Sequence, residues 1–298
     1  MTEALLKALR RELPALEIRQ EEPLKGYTSF GIGGPAEVLL LPASAEELAE
    51  LSAVLRRLGC RTLILGNGSN VLAPDEGLRG AVIVTRRAAE IRRQGNTVLA
   101  DCGASLTKIA AFAAEEGLTG LEFAYGIPGT LGGALIMNAG AYGGEMKDVT
   151  ARVEYLDGEL RRQQAEGEAL DFRYRHSRFG PGDVVLRAEL TLQPGDREAV
   201  RARCRELTEK RRASQPLEMP SAGSAFKRPA GGYAAALIDQ AGLKGYTVGG
   251  AQVSEKHAGF VVNRGGATAS DVKKLLEDVQ KAVYDRSGIL LEPEIKIL

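Results

Sequence analysis

Gly126-Ile-Pro-Gly-Thr-Leu-Gly-Gly-Ala-Leu-Ile-Met-Asn-Ala-Gly-Ala-Tyr-Gly-Gly-Glu145 holds seven glycines in twenty residues around a helix-length apolar middle. Such a run brings backbone close to another group, because glycine lets N–H donors approach without a Cβ in the way. Pro128 followed by Gly129 and Thr130 sets a turn running into a helix N-terminus, where unpaired donors attract anions. A phosphate or pyrophosphate is the natural guest, and a crowded helix crossing is the competing explanation. No Gly-Lys-Ser/Thr follows, which argues against a P-loop for nucleoside triphosphates.

A second donor-rich loop lies about sixty residues earlier. Thr62 to Leu65 reads as a strand and runs into Gly66-Asn67-Gly68-Ser69-Asn70. The chain has only five asparagines, and Asn67, Asn70 and Asn138 all fall in glycine-rich loops. Gly31-Ile-Gly-Gly-Pro-Ala36 matches the dinucleotide fingerprint, yet a strand, Val38 to Leu41, follows where that motif requires a helix. Two cradling loops of neither Rossmann nor Walker type suggest one extended diphosphate spanning both.

The bulk properties narrow the partners. The 298 residues suffice for two or three domains with real cores. Lys+Arg and Asp+Glu balance at 39 each, so no general electrostatic grip on nucleic acid or anionic membrane is expected. Leu5, Leu6, Leu9 and Leu13 stand at helical spacing among basic residues, without a signal-peptide core, and no apolar stretch approaches a membrane span. Cys60, Cys102 and Cys204 are odd in number and widely spaced, against a disulfide framework or zinc site. A cytoplasmic protein and a small-molecule ligand are the expectations.

Along the chain, a capping-box pattern at Ser44 to Glu47 opens a helix that Gly59 closes. Strands are expected near 36–41, 81–84, 90–93, 97–100, 151–156, 183–192, 251–253 and 259–263. Helices are expected near 105–116, 195–213, 233–241 and 270–286, with a strand pair or bent strand over 289–298 interrupted by Pro293. The class is α+β, without steady strand–helix alternation.

Eight motifs in order make the chain resemble the UDP-N-acetylenolpyruvoylglucosamine reductase family. They are residues 27–34, 65–72, 126–134, 138–145, Tyr174-Arg-His-Ser-Arg-Phe179, Pro220-Ser-Ala-Gly-Ser-Ala-Phe-Lys227, residues 256–263 and Leu291-Glu-Pro-Glu-Ile295. The resemblance implies an FAD-binding unit of the vanillyl-alcohol-oxidase type made of two α+β subdomains, 1–80 and 81–195. It further implies an α/β substrate-binding domain over 196–287, with residues 288–298 returning to the first subdomain. Gly66, Asn67, Gly68, Ser69 and Asn70 would meet the diphosphate. Gly126, Ile127, Pro128, Gly129 and Thr130 would meet diphosphate and flavin, and Asn138, Ala139 and Gly140 would line the isoalloxazine side. His176 and His257 lie outside both loops, so FAD is expected to be held non-covalently.

The family's chemistry implies NADPH as hydride donor, an enolpyruvyl UDP-sugar as substrate, and a role in peptidoglycan-precursor synthesis by what is expected to be a monomer. Arg175 would clamp the substrate carboxylate, Glu294 would assist there in preference to the nearby Glu292, and Ser224 would deliver a proton to carbon. Tyr174, Lys227 and His257 are implied to line the UDP-sugar pocket, and no metal is expected. Ala225 and Arg228 depart from an aromatic and an asparagine common in relatives. The short span from Arg175 to Ser224 resembles the branch without a tyrosine-loop insertion. A flavin-dependent alcohol oxidase and a non-catalytic FAD module are the alternatives.

Overall fold

The computed structural model describes residues 2–298. The chain divides into two units: the described part of Met1–Gln20 with Val38–Asn67 and Gly80–Lys210, and Glu21–Glu37 with Gly68–Arg79 and Arg211–Leu298. Contact thus groups the chain in two, whereas a division in three by ligand role is a matter of function. Helices and strands are mixed throughout, as the α+β class requires.

In the first unit, helix Thr2–Glu12 buries Leu5, Leu6 and Leu9, the stripe that its leucine spacing predicts. Helix Ala45–Arg57 starts at Ser44, whose side chain accepts from the Glu47 N–H at 3.1 Å. The Glu47 carboxylate reaches back one residue further than in a capping box, accepting from the Ala43 N–H at 2.6 Å. Thr62–Leu65 lies parallel beside Leu78–Val84, with Thr62 opposite Ala81 and Leu65 opposite Val84. A five-stranded antiparallel sheet runs in the order Arg162–Glu166, Thr150–Leu156, Val184–Thr191, Thr97–Asp101, Ile91–Gln94. Helix Leu106–Glu115 buries Leu106, Ile109 and Ala113 in the same core.

In the second unit, strands Ser221–Ser224, Phe260–Asn263, Ala251–Val253 and Thr247–Val248 form an antiparallel sheet in that order. Helix Ala269–Ser287 buries Val272, Leu275, Leu276, Val279 and Val283 in the core they share with that sheet. Its start is capped three ways. Thr268 accepts from Asp271, and the Asp75 carboxylate accepts from the N–H groups of Ala269 at 2.7 Å and Ser270 at 3.2 Å.

Strand Glu17–Pro23, a largely polar run, and the two elements that follow depart from the sequence reading. The strand Arg162–Glu166 was not foreseen, because Ala165 alone is apolar and the element is an exposed edge. The strand over 289–298 shrinks to Lys296–Ile297, parallel to Val71–Leu72, plus an isolated bridge between Pro293 and Phe226. Pro293 has no N–H to extend a ladder. Among the described residues no helix is long and apolar enough to cross a membrane.

Candidate functional site

In the first unit the two glycine-rich segments meet. A Cβ on Gly66 would overlap the Thr130 hydroxyl, and Thr130 is only 2% exposed. Thr130 is held by its bridge to Ser105, and Gly126 donates to Thr107 Oγ1 at 3.2 Å. The helix Leu131–Ile136 that follows offers fewer open donors than its sequence suggests. Leu131 and Gly132 already donate to the carbonyls of Ala104 and Cys102, at 2.9 and 2.8 Å, and Gly129 donates to Ile127.

The open donors lie instead in the earlier loop. Among the described residues, no acceptor receives the backbone N–H of Gly68, Ser69 or Asn70. Gly68 has φ +58°, and a Cβ there would strike the Tyr27 carbonyl. Successive free amides beside a left-handed glycine form a concavity suited to a phosphate, so these residues fit the diphosphate end of a dinucleotide cofactor. Asn67, at the head of this loop, accepts through its carbonyl from the Arg86 guanidinium at 3.2 Å.

Residues 138–145 fold into a short hairpin, with Gly140–Ala141 paired to Gly144–Glu145. Gly140 and Gly144 are packing glycines: a Cβ would crowd Glu145 in the first case and the Phe123 ring in the second. Asn138 is 1% exposed with φ +41°, and protein groups occupy its whole amide. Its Nδ2 donates to Glu145 Oε2 at 2.9 Å and to the Arg173 carbonyl at 3.2 Å, while Oδ1 accepts from the Lys147 N–H at 2.9 Å.

That link reaches the tip carrying Arg175. Arg173 and His176 exchange both backbone hydrogen bonds, leaving Tyr174 and Arg175 as a two-residue turn. Arg175 takes φ +54°, a region where a side chain costs about 1 kcal/mol. Its guanidinium carbon lies 5.1 Å from the ring centre of Tyr174, itself 51% exposed. The Lys147 ammonium, with help from Asn138 and the charge of Arg175, holds the Glu145 carboxyl below the usual carboxylate range. Glu145 joins this cluster without having been singled out beforehand. Its signal was a carboxylate inside a glycine-rich run that held no other charge.

In the second unit Ser224 ends its strand opposite Phe260, exposed, after an irregularity in register at which Gly223 takes φ +77°. The next three residues lock onto the C-terminal segment. Glu294 N–H donates to the Ala225 carbonyl at 2.9 Å, Lys227 N–H to the Glu292 carbonyl at 2.8 Å, and Phe226 bridges Pro293. Ser224, Lys227 and Glu294 therefore stand on one backbone network.

Burial separates the two carboxylates. Glu294 is 9% exposed, while the Glu292 side chain is 69% exposed and pairs with the Lys227 ammonium. The strand expected over this stretch does not form, so strand alternation does not place the two side chains on a common face. His257 is half-buried; its Nδ1 accepts from the Gly259 N–H at 3.1 Å, and burial depresses its pKa.

Residues 36–161 match the profile of an FAD binding domain, and residues 215–298 match the C-terminal domain of UDP-N-acetylenolpyruvoylglucosamine reductase. A UDP-N-acetylenolpyruvoylglucosamine reductase of Caldanaerobacter subterraneus subsp. tengcongensis is 48% identical over all of this chain and 99% of its own length. The crystal structure of the Thermus caldophilus UDP-N-acetylenolpyruvylglucosamine reductase superposes with TM-score 0.80 at 37% identity, over 95% of this chain and 98% of that one. A reticuline dehydrogenase variant of berberine bridge enzyme shares the fold alone, with TM-score 0.51 at 14% identity, over 65% of this chain and 44% of that one.

Proposed function

The chain belongs to the UDP-N-acetylenolpyruvoylglucosamine reductase family and is an FAD-containing oxidoreductase of peptidoglycan-precursor synthesis, in which we propose that NADPH is the hydride donor and that Arg175, Ser224 and Glu294 carry the reduction. Its reaction converts the enolpyruvyl ether of UDP-N-acetylglucosamine to the lactyl ether of UDP-N-acetylmuramate. The observation that carries the cofactor assignment is the run of unsatisfied amides at Gly68, Ser69 and Asn70. Those groups would hold the diphosphate, with residues 126–130 and 138–140 toward the flavin. FAD held by these residues would supply the two-electron chemistry that links the nicotinamide to the enolpyruvyl group.

The remaining work falls to side chains. Hydride adds to the terminal carbon, so negative charge develops on the adjacent carbon and spreads into the carboxylate. Arg175 meets that carboxylate with the planar fork that suits a two-point contact, and its strained backbone supports a functional reading. Glu294 assists at the same group; its burial, against the exposed and paired Glu292, favours it. Ser224 delivers the proton to carbon, and its exposure lets solvent restore the hydroxyl. Tyr174, Lys227 and His257 are assigned to the pocket for the UDP-sugar, where Lys227 would exchange Glu292 for a phosphate.

Rapid-mixing spectrophotometry of flavin colour tests this reading. NADPH should bleach the purified yellow protein, and the enolpyruvyl UDP-sugar should restore the colour. Ser224→Ala should slow the return of colour by about 10² to 10⁴, with a far smaller effect on bleaching. Glu294→Gln should show the same imbalance and Glu292→Gln should not. A colourless protein that takes up no FAD overturns the cofactor assignment, and equal slowing of both halves by Ser224→Ala removes the proton role.

A further inference from the structure

We propose that Asn70 is a positioning residue for Glu294, an inference that rests on the reading of Glu294 as the group meeting the substrate carboxylate. The Glu294 peptide is gripped from both sides. Its N–H donates to Ala225 at 2.9 Å, and its carbonyl accepts from Asn70 Nδ2 at 3.2 Å. A carbonyl can only accept, so this contact fixes which end of the Asn70 amide faces it. The backbone carbonyl of Asn70 in turn accepts from the Lys296 N–H at 3.0 Å, and Val71 then pairs in register with Lys296. Asn70 is thus the last residue of the glycine loop and the first of the brace that holds the C-terminal segment.

The neighbouring geometry makes that grip consequential. Pro293 has no N–H, and no strand spans 291–295, so bonds from distant stretches of the same chain hold the Glu294 peptide. Ala225 directly follows Ser224, so the bond fixing Glu294 on one side also sets its place relative to the proposed proton donor. Asn70 supplies the other side and carries one of the three open amides of the loop. An anion that orders those amides also steadies Asn70, and through it Glu294. The loop therefore does two jobs: its backbone faces the cofactor and its terminal side chain aims a carboxylate.

The test compares Asn70→Ala and the isosteric Asn70→Asp, which keeps the shape but loses the donor, with wild type and Glu294→Gln. In FAD-loaded enzyme, flavin reoxidation by substrate should fall about 10- to 100-fold, the scale for a misplaced catalytic group, while reduction by NADPH changes far less. Adding Asn70→Ala to Glu294→Gln should cost less than about twofold more, because a residue acting through another has nothing left to aim. Without cofactor or substrate, hydrogen exchange over 292–298 should quicken in both Asn70 variants. The proposal is overturned by normal reoxidation where Glu294→Gln is impaired, by multiplicative losses in the double variant, or by unchanged exchange. Loss of FAD affinity with normal reoxidation per bound flavin would overturn it too, returning the side chain to the cofactor. If wild type itself is not reoxidised by substrate, the underlying reading fails, and exchange in the FAD-free protein still decides the brace.

Discussion

Arg175, the residue proposed to meet the substrate carboxylate, sits in a strained backbone region. At φ +54° its backbone suits glycine, so Arg175→Gly should raise unfolding stability by about 1 kcal/mol in urea titrations while abolishing flavin reoxidation by substrate. A variant that gains nothing would mean that contacts of the guanidinium offset the strain. His257 carries a pH signature of the opposite kind. Burial holds its pKa below the ordinary 6.5, so the unfolded chain binds a proton more readily than the folded one. Its contribution is complete above about pH 6.5 and is lost as pH falls through that value toward the lower folded one. Protonation would also remove the acceptor that Nδ1 offers to Gly259. Melting temperature should therefore slope downward from about pH 6.5 toward 5 in wild type and less steeply in His257→Gln. Parallel slopes in the two proteins would clear His257.

At the scale of elements, the junction of the two glycine segments in the first unit leaves no room for a Cβ at Gly66. Gly66→Ala should lower apo-protein stability by about 1–3 kcal/mol and reduce FAD uptake, because the new methyl lands on the buried Thr130 hydroxyl. Thr130→Ala in the same chain should recover most of the stability; full additivity of the two losses would place the damage elsewhere. Much of this architecture was legible beforehand. The leucine stripe of Thr2–Glu12 and the Ser44 cap announce their helices through spacing and hydrogen-bonding chemistry. Edge strand Arg162–Glu166 announces nothing, since its polar residues need no buried face. The partners of Asn138 and Asn70 were equally hidden. A loop asparagine looks the same whether its amide serves a ligand or a backbone carbonyl, and that of Glu294 lies 224 residues from Asn70. In the sequence only the family pattern told Glu294 from Glu292, whereas in the structure burial separates them.

At the scale of the molecule, cofactor and fold support each other through mass action. FAD present at 100 times its Kd should stabilise the protein by about 2.7 kcal/mol, read as a rise in melting temperature that grows with FAD concentration. Acid precipitation should leave all the flavin in the supernatant. His176 is engaged with Asp171 and His257 with Gly259, and neither lies in a loop proposed to meet FAD. Flavin retained in the pellet would reveal a covalent link. The second unit draws its core from separated stretches: Phe30, Ile32 and Leu72 pack with residues from Ala222 to Ile295. A ribosome adding about 5–20 residues per second needs roughly 8–30 s to travel from Leu72 to Ala222. For that interval these apolar side chains have been made but their partners have not. The nascent chain therefore offers a timed binding opportunity to chaperones, and an expression host that translates slowly or is short of holdases should lose yield through the second unit first.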